Sequence, residues 1–115
     1  MKDQVKLLID ILSDKNARED ERGDAAIDLR CYEDKRAIEA LFEVASNPQE
    51  DDVIADNAAE SLGDLCVKMH FFDEKKILKM PSFTQKIVVG YILSHNPSLI
   101  PQPLRIELAT RLKLL

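Results

Sequence analysis

The chain is poor in the residues that punctuate or staple small folds. Three Gly and five Pro in 115 residues exclude a collagen-like or low-complexity chain and leave no glycine-rich loop to cradle phosphate. Trp is absent and aromatics make up 5%, so a sandwich or barrel built on aromatic strands is not expected. Two cysteines, Cys31 and Cys66, cannot build a multi-disulfide scaffold or a four-cysteine zinc site; they read as buried apolar residues. The longest uncharged run, Ile87 to Leu104, is broken by His95, Asn96 and three prolines and cannot span a bilayer as a helix. Behind Met1-Lys2-Asp3-Gln4-Val5-Lys6 comes an amphipathic stretch rather than an uncharged apolar core, so no signal peptide is expected. The expectation is a reduced, cytoplasmic protein.

Positive charge is also missing where it would be expected. Between Ala37 and Val67 there is no Lys or Arg, yet eight carboxylates: Glu39, Glu43, Glu50, Asp51, Asp52, Asp56, Glu60 and Asp64. Residues 1–66 hold 18 acidic and 8 basic side chains, and residues 67–115 hold 3 and 8, so a net charge of −5 conceals opposite halves. The overall sign argues against a nucleic-acid partner. Solvated helix faces usually mix signs, because opposite pairs four apart stabilise and like pairs do the reverse. An acidic stretch with no relief therefore asks for a further reason.

What is present is helical spacing. Val5, Leu8, Ile9 and Leu12 sit at i, i+3, i+4 and i+7 and predict a helix over roughly 3–13. A second helix is expected over about 18–31, with Ala25, Ala26 and Leu29 apolar and an acidic first turn. Asp34 can N-cap a third that ends at Asn47-Pro48, and a fourth runs over about 51–67. Asp73 can cap a short helix through Leu78, Ser82 the next, and Pro103 opens a last one. His70, before Phe71-Phe72, is expected to be a packed loop residue. Neither it nor His95 has a second metal ligand at i+4. No segment alternates with period two, so no strand is expected.

The first helix pair maps onto the second. Val5 falls on Ile38, Leu8 on Leu41, Ile9 on Phe42, Ile11 on Val44, Ala25 on Ala58, Ala26 on Ala59 and Leu29 on Leu62, always 33 residues apart. A fixed offset across two helices marks stacked helical hairpins. The pattern Arg22-x-x-Ala25-x-x-x-Leu29, with Ile9-Asp10-Ile11-Leu12-Ser13-Asp14 before it, resembles HEAT-like repeats; the second copy keeps Ala58, Leu62 and Gly63 but has Ala55 where that family usually carries Arg. The resemblance implies an all-α, right-handed superhelix: a solenoid of hairpins over about 3–31 and 34–67, a degenerate third over 73–95, and a C-terminal capping helix over 103–114. A plain helical bundle is the alternative.

The resemblance also implies that the second helix of each hairpin lines the inner surface. Asp20, Asp24 and Asp28 on the second helix, and Asp52, Asp56, Glu60 and Asp64 on the fourth, recur at i+4 steps and so form two stripes. The stripes are out of register by one residue, about 100° on a helix. These seven are the candidate partner-binding residues. They can be a solubility face, or the face of an interaction scaffold for a basic partner. Small size, acidity and HEAT-like hairpins also resemble immunity proteins of contact-dependent or polymorphic toxin systems. That likeness implies a monomer that binds one cognate toxin domain 1:1, often a basic nuclease, and neutralises it without catalysis, cofactor or metal. A HEAT-like adaptor is the alternative, and a bilin-lyase-like role a more distant one.

Overall fold

A computed structural model describes residues 2–114. Seven α-helices follow one another: α1 (Gln4–Ser13), α2 (Glu19–Asp28), α3 (Lys35–Ser46), α4 (Asp52–Lys68), α5 (Glu74–Leu78), α6 (Ser82–His95) and α7 (Gln102–Arg111). Short 3-10 turns occupy Leu29–Cys31 and Pro97–Leu99. Among the described residues there is no strand, and no helix is long and apolar enough to cross a membrane.

Aspartates start most of these helices. Asp3 accepts a hydrogen bond from the Lys6 N–H at 3.1 Å, Asp34 from Arg36 at 2.8 Å, and Asp73 from Lys76 at 3.1 Å. Asp51 accepts from both Val53 and Ile54. Each satisfies donors that the first helical turn leaves free. Ser82 departs from expectation: it is the first residue of α6, Pro81 precedes it as the cap, and no side chain closes that end.

The C-terminal stops are made without glycine. His70 (φ 50°) and Lys113 (φ 57°) take the left-handed conformation. After α4, Phe71 N–H reaches the Cys66 carbonyl and His70 N–H the Val67 carbonyl; after α7, Leu114 reaches Ala109 and Lys113 reaches Thr110. Both are Schellman closures. His70 is thus an exposed turn residue rather than a packed one. The second helix likewise gives up its α geometry at Asp28, three residues short of the expected end, and its last turn tightens to 3-10. That turn leaves Cys31 exposed, whereas Cys66 is buried as expected.

The helices pair as α1 with α2 and α3 with α4; α2 packs on α4, α4 on α6, and α1 on α3. One continuous core runs through the molecule, which measures 43 × 30 × 20 Å. Ala25, Ala26 and Leu29 are buried, as are their counterparts Ala58, Ala59 and Leu62. The small pairs let backbones approach. At the next contact the small residue has moved to the other partner: Gly63 of α4 faces Tyr91 of α6, where a Cβ would lie 2.8 Å from the Tyr91 Cβ. At the far end Leu108 and Leu112 of α7 join the core, and Arg111 donates to the Gln85 side chain of α6 at 3.1 Å.

Candidate functional site

Three arginines tie the first hairpin to the second. Arg22 is buried; its Nε donates to the Leu12 carbonyl at 2.9 Å and its two Nη groups grip the Glu50 carboxylate at 3.0 and 2.8 Å. A bidentate pair of this kind is strong because two parallel charge-assisted hydrogen bonds join the groups, and each charge has a further bond, to the Leu12 carbonyl and from the Asp51 N–H. Burial opposes ionisation of Glu50, but the bonds from Arg22 and the Asp51 N–H outweigh it and hold the carboxyl below its usual value. Arg30 meets Asp64 at 2.9 Å, and Lys68 meets the same carboxylate at 3.2 Å. Burial again opposes the Asp64 charge, and the neighbouring Arg30, Lys68 and Tyr91 side chains again lower its pKa. Arg36 bridges the N-caps of the two first helices, Asp34 and Asp3, each at 2.8 Å.

These pairs correct one inference from the sequence. The acidic stretch is relieved, at Glu50 and Asp64, by arginines 28 and 34 residues earlier in the chain. The arginine counter-charge comes from the neighbouring hairpin, which i,i+4 spacing could not reveal, whereas Lys68 reaches Asp64 from the same helix at i,i+4. Two of the seven candidate residues are accordingly engaged: Asp64 by Arg30 and Lys68, and Asp20 by Arg18 at 2.6 Å.

The other five have no cationic partner among the described residues. Asp24 and Asp28 of α2 and Asp52 and Glu60 of α4 are exposed, and Asp56 is half-buried. The Asn57 amide donates to the Gly23 carbonyl at 3.5 Å, which marks the seam between α2 and α4. Asp24 and Asp56 are the chain neighbours of those two seam residues. Apolar side chains stand exposed on the same helices: Ile27 and Val53, the latter 66% exposed.

The side chains least legible in the sequence are those around Ala55. A groove of about 300 Å³ opens there, bounded by Pro48, Asp52, Ala55, Pro81, Phe83 and Thr84. The signal that could have found it was the 33-residue offset itself, which sets Ala55 against Arg22 and Phe83 against Glu50.

Burial pushes the Cys66 thiol up to about 12, so it stays protonated. His95 stacks on Tyr91 with ring centroids 3.9 Å apart, and its Nδ1 lies 2.9 Å from the Tyr91 carbonyl. Among the described residues no three His, Cys, Asp or Glu side chains converge as a metal site. What the fold and surface define is an all-helical protein whose two packed helices α2 and α4 carry five carboxylates without a cationic partner among the described residues. In comparisons with known proteins, no family model, no curated protein and no solved structure matches the chain.

Proposed function

We propose that this is a non-catalytic binding protein, a short HEAT-like stack of hairpins whose α2–α4 face engages a basic protein. The observation that carries the reading is the division of labour among the carboxylates. Glu50, Asp64, Asp3 and Asp34 hold the hairpins together, while Asp24, Asp28, Asp52, Asp56 and Glu60 are left without cations on one pair of packed helices. Clustered like charge costs the isolated fold repulsion and steers an oppositely charged partner. Within that reading the partner is a toxin domain, basic and nuclease-like. The acidic face stands in for the phosphates of its substrate and covers the cleft, and this chain acts as a cytoplasmic immunity protein. The adaptor reading shares the surface and differs in the partner.

Gene context and one complex separate the two. A large secreted protein encoded beside this chain, with a variable C-terminal domain, supplies the partner to test by co-expression. The immunity reading expects a 1:1 complex and restored growth. It also expects Asp52→Asn, Asp56→Asn and Glu60→Gln together to slow association about 10-fold or more at low salt. Growth arrest that this chain does not relieve sinks the immunity reading. Equal binding by the triple variant at low and high salt reduces the acidic face to a solubility face.

A further inference from the structure

The junctions between successive hairpins are built on one plan and filled differently. Where the first meets the second, Lys15, Arg22 and Glu50 line a crevice of about 90 Å³. Arg22 lies inside it with its guanidinium on Glu50 and on the carbonyl of Leu12. Where the second meets the third, the residues 33 further on are Pro48, Ala55 and Phe83, and the space is about 300 Å³. The carbonyl equivalent to that of Leu12, on Ala45, is satisfied by the Thr84 hydroxyl at 2.6 Å. The arginine is therefore missing without leaving an orphaned acceptor, and the room it would fill stays open.

We propose that this groove receives an arginine side chain presented by a basic partner segment. Ala55 is buried and forms an apolar floor, with Pro48 and Pro81 as walls that suit an alkyl stem. Phe83 is 50% exposed at the rim, an aromatic face on which a guanidinium plane stacks. Asp52 lines the same groove, has no cationic partner among the described residues, and supplies the counter-charge. Lysine fits less well, because a compact, strongly hydrated ammonium neither stacks nor pairs in two places at once. The proposal rests on the acidic-face reading and adds a specificity pocket at one end of it.

The test is a titration of isotope-labelled protein with acetyl-Gly-Gly-Arg-Gly-Gly-amide and its lysine counterpart, followed by amide NMR shifts at low salt. The arginine peptide is expected to shift the amides of residues 52–55 and 81–84 saturably, and to bind about 5-fold tighter than the lysine peptide. Ala55→Arg, which fills the groove from within, is expected to abolish this binding, and Phe83→Ala to weaken it about 5-fold. Phe83 is exposed, so its variant carries the test if Ala55→Arg fails to fold. Equal binding of both peptides, or binding that neither variant alters, overturns the arginine pocket and leaves the acidic face standing. No saturable binding by either peptide overturns both.

Discussion

In the hairpin of α1 and α2, the end of the first helix is closed by a charged side chain from within: Arg22 reaches Leu12 and continues to Glu50. In the hairpin of α3 and α4 the same place is closed from without, by Thr84 of α6, and the intrinsic position is Ala55. Farther along, the Gln85 amide of α6 donates to the Ile77 carbonyl of α5 at 2.8 Å. The carbonyls of Leu12 and Ala45, 33 residues apart, are both satisfied, as burial demands. The first uses an ion pair, and the second leaves a groove of about 300 Å³. The two carbonyls thus share a hydrogen-bonding obligation rather than a donor type, and the way it is met decides what surface remains.

The contrast is broken most severely at its charged member. Glu50→Ala strands the Arg22 guanidinium in the core and is expected to cost about 3–5 kcal/mol in urea unfolding, a large share of the stability of a domain this size. The pH dependence follows from the lowered pKa of Glu50. Its stabilisation is complete above the ordinary value of 4.5 and is lost as pH falls through the lower folded-state value. Wild-type stability should therefore decline below pH 4.5, and the decline should be shallower in Glu50→Gln, measured against the same variant at neutral pH.

What the two hairpins have in common is tested by Ala25→Leu and Ala58→Leu. Both alanines are buried, at 2% and 0% exposure, so each should lose about 1–3 kcal/mol through overpacking. Untouched stability in either would show that its layer is not close-packed.

The two seam glycines should answer in opposite directions. A Cβ at Gly63 meets the Tyr91 Cβ at 2.8 Å, an atom fixed to the α6 backbone. Gly63→Ala should therefore be destabilising by about 1 kcal/mol even after the gain in helix propensity. At Gly23 the nearest atom is the Asn57 amide nitrogen at 3.1 Å, the free end of a side chain that can swing. Gly23→Ala should be neutral or stabilise by up to about 1 kcal/mol, read as a higher melting temperature. Matching signs would mean that the two seams are equally tight.

The smallest effect belongs to the free carboxylates. Asp52→Asn, Asp56→Asn and Glu60→Gln together should leave the melting temperature unchanged or raise it, each relieved repulsion adding a few tenths of a kcal/mol. A clear fall in melting temperature would place them in the fold's own network beside Asp64.

The sequence by itself determined the helices and the residues that repeat between them. Apolar side chains at i, i+3, i+4 and i+7 have no other way to share a face, and Asp3, Asp34 and Asp73 cap where their hydrogen bonds are local. The tertiary structure decided everything that depends on a neighbour. Leu8 and Ile9 of the terminal helix are half-buried while their counterparts Leu41 and Phe42 are buried, a difference their shared spacing does not encode. His70 read as packed from the aromatics after it, but a left-handed closing turn carries it outward. The seven acidic positions were identical in kind along the chain. Arg18, Arg30 and Lys68 separated Asp20 and Asp64 from the five that have no cationic partner among the described residues. For Asp64 the separation is tertiary: its principal counter-ion stands 34 residues away and meets it only when α4 packs against the turn after α2. Charge is written locally, whereas neutralisation depends on distances of a few ångströms that only the packed helices create.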